Sequence, residues 1–265
     1  MSASLARSSR ECLTFAVSES RRRPPAPRHR LTNSVHALVI FMEESAMSLI
    51  DALCPRQRES PLEPHPQKAS QQRQWARDIH SWIERCGTSA RLARYLTPVA
   101  VMDDRLATVT TDGRHLFFHA VFAAMLTPEE RRFITAHLVW HCVCGHIVAQ
   151  PHRDTLRWNL ACEHEANYLV LLEGLNLPRD AVFYFSQAGR HSGQVYDWLA
   201  AHPHPQWDHH FDCHPLDSPR HPGEVDREDP DYAPLEPDVA LADLWREQAS
   251  REVRVGPLHD HLLNR

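Results

Sequence analysis

The apolar positions of this chain keep a helical rhythm through most of its middle and a strand rhythm over one short stretch. From Gln71 onward, Trp75, Ile79, Trp82, Ile83 and Cys86 recur on one helix face, and Gly87 follows as a stop signal. Leu92, Tyr95 and Leu96 predict a second, short helix. Residues 99–102 and 106–111 read as strands. The second of these is joined through Asp112-Gly113 to a third over 115–119, the turn chemistry of a tight two-residue hairpin.

The stretch from Thr127 to His146 carries the clearest signals. Thr127 and Glu130 make a capping box, Pro128 sits at the first helical position where its missing N–H costs nothing, and Gly145 is the stop. Phe133, Ile134, Ala136, Leu138, Val139, Trp140, Cys142 and Val143 make this helix apolar almost all round. At this length that predicts burial inside a domain rather than a membrane span. Another long helix is predicted over 158–173, led in by residues 154–157 and bounded by Gly174. A strand over 181–185, a short helix after Ser192 and a His-, Pro- and Asp-rich edge over 202–222 follow it. A last helix over 239–253 packs through Leu241, Leu244, Trp245 and Ala249.

Two polar side chains interrupt the apolar helix. His137 and His141 are four residues apart, so their imidazoles project from one face one turn apart, the separation at which both can bind a single tetrahedral cation. Two core histidines satisfied by hydrogen bonds would give the same pattern. On the later helix Asn159, Glu163 and Asn167 recur every fourth residue, which makes Glu163 a candidate third ligand with amide neighbours placed to orient it. Two imidazoles and one carboxylate leave a fourth position open, the layout of a catalytic zinc site rather than a closed structural one. His146 and Cys144 are alternative ligands near the same helix end.

Composition bounds what this site can serve. With 265 residues and 42% hydrophobic content the chain can bury a real core, and a formal charge of -5 argues against a general nucleic-acid binder. Residues 1 to about 68 are rich in Arg, Ser and Pro, the composition of a disordered extension, an organelle transit peptide, or a gene-model extension ahead of Met42 or Met47. Residues 1–30 carry seven Arg against Glu11 and Glu19, whereas 224–238 carry seven acids against Arg227, so the tails have opposite sign. Seven cysteines without a CxxC pair fit reduced thiols in the cytoplasm, and no apolar run is long enough for a membrane. The domain itself is expected over 69–257, with a short tail over 258–265.

From roughly residue 90 to 257 the chain resembles the metallopeptidase domain that usually precedes a von Willebrand A-like domain in bacterial proteins. The residues that carry the likeness are Thr111-Asp112-Gly113, His137/His141/His146, Arg153-Asp154, Trp158-Asn159-Leu160-Ala161 with an acid at 163 and Asn167, Asp212-Cys213-His214, and Trp245-Arg246. The resemblance implies a zincin-like α+β fold, a small and mostly antiparallel sheet or hairpin packed on a buried metal-site helix and a second ligand-bearing helix. It implies zinc held by His137, His141 and Glu163, with His214 as a further alternative ligand. It also implies a peptide or protein substrate or ligand, and a von Willebrand A-like or AAA-type ATPase partner. The chain ends at Arg265, so the domain is expected to stand without the von Willebrand A-like one.

Two positions depart from the family pattern. Its HExxH reads His137-Leu138-Val139-Trp140-His141 here, and its Asp at 163 is Glu163. The second change keeps a carboxylate. The first puts leucine where the family has a general base that takes a proton from the attacking water, a contribution of roughly 10²- to 10⁴-fold. No acid lies a turn away on the same helix, so a substitute base would have to be Glu165, Asp208 or Asp212, approaching through the tertiary fold. The expectation is a zinc-binding protein with impaired or lost hydrolysis. An active peptidase with another base, or a metal-free interaction module, are the alternatives.

Overall fold

The computed structural model describes residues 66–83, 87–179, 181–202 and 225–264. The basic extension up to residue 65, Cys86, Asp208, Asp212 and His214 lie outside these. The first described helix, α1 (Pro66–Ile83), begins five residues ahead of the periodic run that predicts it, and its early residue Lys68 is buried against Asp229. Helix α2 (Thr88–Leu92) and a 3-10 turn (Ala93–Tyr95) lead into β1 (Thr97–Val101), followed by β2 (Val109–Thr111) and β3 (His115–His119).

These strands form one mixed sheet in the order β1-β3-β2, with β1 parallel and β2 antiparallel to β3. The expected mostly antiparallel hairpin is therefore only half of the sheet. β1 pairs with β3 over five residues, from Thr97 opposite His115 to Val101 opposite His119, while β2 contributes three. Nor is the turn a two-residue one. Thr111 pairs with Leu116, so four residues separate the antiparallel partners, because the Asp112 carboxylate accepts from the N–H of Arg114 and of His115 and holds a wider loop.

Helix α3 (Ala120–Met125), which the pattern does not separate from the strand before it, starts at once after β3 with His119 as its cap. Helix α4 (Pro128–Val143) follows, and the Thr127/Glu130 capping box forms in both directions. Every residue from Phe133 to Val143 is buried in α4, as an apolar perimeter requires. Helix α1 covers it through Trp75, whose indole donates to Thr135 Oγ1 at 3.0 Å and stacks on Phe118 of β3 with ring centroids 4.3 Å apart.

Helix α5 (Thr155–Leu172) begins three residues before the predicted start because Asp154 caps it, accepting from Arg157 N–H at 2.9 Å. Residues 181–185 form no strand. Their backbone is recruited instead by α5, where His164 Nδ1 accepts from Tyr184 N–H and Asn167 donates to Val182 O, and a 3-10 turn (Phe185–Gln187) follows. Helices α6 (Ser192–Ala201), α7 (Val239–Glu252) and α8 (Pro257–Leu263) complete the order. Helix α8 forms where the sequence pattern assigns only a tail, and it docks through a buried His261.

Two motifs from the sequence meet in the architecture. Gly113 has φ +81 and lies so close to α7 that a Cβ there would sit 2.7 Å from Ile147 and 2.8 Å from Leu241. Its carbonyl accepts from the Trp245 indole at 2.8 Å. Among the described residues no helix is long and apolar enough to cross a membrane.

Candidate metal centre

Helices α4 and α5 pack side by side and place three ligand-type atoms together. His141 Nε2 lies 2.9 Å from His137 Nε2. Glu163 Oε1 lies 3.3 Å from the first histidine's Nε2 and 3.2 Å from the second's. A tetrahedral ion bonded at roughly 2.0–2.1 Å holds adjacent ligand atoms about 3.3 Å apart, so this triangle has the edge lengths such an ion needs. All three side chains are buried, at 2% exposure or less.

The protonation of His137 follows from its neighbour. Asn167 Nδ2 donates to Val182 O at 3.1 Å, which turns Asn167 Oδ1 toward His137 Nδ1 at 3.0 Å. An amide oxygen only accepts, so Nδ1 carries the proton and Nε2 presents its lone pair to the other two atoms. This is the outer hydrogen bond that orients a ligating histidine. Asn159, expected in the same role, is buried one turn before Glu163 on α5. The donor set and its orientation therefore fit a divalent cation.

Two of the alternative ligands, His146 and Cys144, group with Glu165, with the His146 ring 5.0 Å from that of His141. His146 Nε2 lies 3.1 Å from Glu165 Oε2, and Cys144 groups with that pair rather than with His137 and His141. Glu165 is fully buried and its two oxygens are engaged from four directions. Oε2 also accepts from Ser192 N–H at 2.7 Å, and Oε1 lies 3.1 Å from His191 Nδ1 and 3.1 Å from His261 Nε2. Those contacts hold the Glu165 carboxylate in place, and Leu138, between the two histidines on α4, is buried in the core. Burial pushes the Cys142 thiol up to about 12, which holds it protonated beside Thr111 and away from ligand chemistry.

Sequence reasoning missed His191 and His261. The first stands just ahead of a short helix and the second in a polar C-terminal stretch, so neither falls on a periodic face. His164, also overlooked, accepts from Tyr184 N–H and faces Gln187 O at 3.0 Å; burial holds it down to about 4 and therefore neutral. The Arg153-Asp154 pair is structural: Asp154 caps α5 and the Arg153 guanidinium lies over the rings of Trp158, at 4.2 Å, and Tyr196, at 4.8 Å.

A helix-borne pair of histidines four apart, met by a carboxylate from the next long helix, defines an α+β domain with a candidate three-ligand metal centre. The family model described as "Putative metallopeptidase domain" matches residues 68–207, more than half of the chain, and the protein belongs to that family. No curated protein and no solved structure matches the chain.

Proposed function

We propose that this is a zinc-binding, zincin-like member of its family in which peptide hydrolysis is impaired or lost. The observation that carries the reading is the convergence of His137 Nε2, His141 Nε2 and Glu163 Oε1 within 3.3 Å of one another, with leucine at position 138 between the histidines. A zinc ion supplies Lewis-acid polarisation of a water or carbonyl oxygen. The chain supplies the rest. His137 is held in one tautomer by Asn167, Glu163 brings the single negative charge, and the surrounding apolar core strengthens those electrostatic contacts. What the chain does not supply at position 138 is a proton acceptor. The site then serves to hold the fold, or to bind a peptide through a carbonyl, without efficient cleavage.

The alternative of an active peptidase with Glu165 as base is disfavoured by the four contacts on that carboxylate. The test is zinc content and cleavage of a mixed peptide library by the wild type and by Leu138→Glu. The reading expects about one zinc lost on His137→Ala/His141→Ala, little wild-type turnover, and a gain of roughly 10²-fold or more in Leu138→Glu. Wild-type turnover as fast as that of Leu138→Glu would refute the impairment.

A further inference from the structure

A second cluster, built around Glu165 two residues further along α5, shares no residue with the first. Glu165 Oε1 lies 3.1 Å from His191 Nδ1, at the start of α6, and 3.1 Å from His261 Nε2 in α8. The three ligand atoms all lie within 4.8 Å of one another. We propose that Glu165, His191 and His261 form a second divalent-cation site, of zinc class, that clasps the C-terminal helix α8 onto α5.

The ligand chemistry is that of the first centre, two imidazole nitrogens and one carboxylate oxygen, the set that suits zinc among divalent ions. The carboxylate is aimed. Its other oxygen is fixed by Ser192 N–H at 2.7 Å and by His146 Nε2 at 3.1 Å, so Oε1 faces the two remaining histidines. Three elements far apart in sequence deliver these groups, and the His191 and His261 rings approach to 4.2 Å between centroids. Glu165 and His261 are buried, while the His191 side chain keeps 17% exposure, which gives an ion a way in and leaves a position for water.

A bound cation would add to the hold on a helix of only seven residues, whose one buried side chain is His261 and whose Leu258 and Leu262 pack partly buried against the core. Helices this short hold their place through tertiary contacts rather than through propensity.

The test uses the full chain, freed of metal and titrated with zinc under equilibrium dialysis with elemental analysis. The wild type should bind two zinc ions. His191→Gln/His261→Gln should bind one and His137→Gln/His141→Gln should bind one. Glutamine keeps an N–H donor for Glu165, so a hydrogen-bonded hub without metal would survive the exchange, and native far-UV circular dichroism in the variant checks that it folds. The second site is overturned if His191→Gln/His261→Gln keeps the wild-type stoichiometry. The first is overturned, independently, if His137→Gln/His141→Gln keeps it. A readout that needs no change at the second site is amide exchange in the His137→Gln/His141→Gln protein. Zinc should slow exchange across residues 259–263 by roughly 100-fold when its concentration is about 100 times the Kd. Exchange there that zinc leaves unaltered overturns the clasp.

Discussion

Asn167 decides how His137 can act, because its amide N–H donates to Val182 O and its oxygen therefore accepts from His137 Nδ1–H. Asn167→Ala removes that orientation while leaving all three ligands in place. Zinc affinity at the His137/His141/Glu163 centre should fall by about 10- to 100-fold, measured by competition with a chromophoric chelator. An unchanged affinity would mean that α4 alone sets the imidazole.

His119 offers a second test at the level of one side chain. Burial, with Arg227 nearby, holds it down to about 4 against the opposing pull of Asp103 and Asp229, and its Nδ1 accepts from Val121 N–H. The unfolded chain binds a proton on this histidine below its ordinary value of 6.5 and the folded chain does not until about 4. Stability is therefore complete above pH 6.5 and is lost as pH falls toward 4, by on the order of 3 kcal/mol from this group. His119→Asn keeps a capping acceptor without the titration. Its denaturation midpoint should decline less than that of the wild type between pH 6.5 and 4, and parallel declines would contradict the assignment.

Among the elements, α4 was legible almost in full. Thr127, Pro128, Glu130 and the unbroken apolar perimeter dictate its start and its burial locally, and the i, i+4 rule already places His137 and His141 together. Glu163 was legible for the same reason on α5. Its approach to His137 and His141 was expected from that spacing and from the family likeness, but how closely α5 packs on α4 is set by contacts that no local pattern specifies. The parallel pairing of β1 with β3 is a non-local choice of the same kind, and so is the loss of the expected strand at 181–185, whose backbone groups are taken by His164 and Asn167. The turn at Gly113 joins elements from both ends of the domain. Gly113→Ala should cost about 2 kcal/mol or more, from a positive φ and from contact with Ile147 and Leu241, read as a shift in the denaturant midpoint. A shift near zero would mean that α7 gives way.

Across the whole molecule, the segment from residue 225 to 264 is bound back onto the domain by contacts that sequence spacing does not reveal, among them those of Asp229, Trp245 and His261. Lys68 in α1 pairs with Asp229 at 2.7 Å, Asp229 also accepts from Met102 N–H at 2.8 Å, and Asp103 accepts from Asp229 N–H at 2.8 Å while pairing with Arg105. Trp245 seats α7 on the Gly113 turn, and His261 seats α8 on α5. The Lys68 and Asp229 side chains are 11% and 6% exposed. Lys68→Met strands the aspartate and should destabilise the protein by about 3 kcal/mol or more, measured by equilibrium unfolding. A cost below about 1 kcal/mol would show that the remaining donors suffice.

A metal ion held between α4 and α5 would show in anomalous scattering at the zinc edge from crystals of the zinc-loaded protein. A strong peak is expected within about 2.0–2.2 Å of His137 Nε2, His141 Nε2 and a Glu163 carboxylate oxygen. No peak among those three atoms, with His137 Nε2 and His141 Nε2 still in hydrogen-bond contact in zinc-saturated crystals, would contradict it.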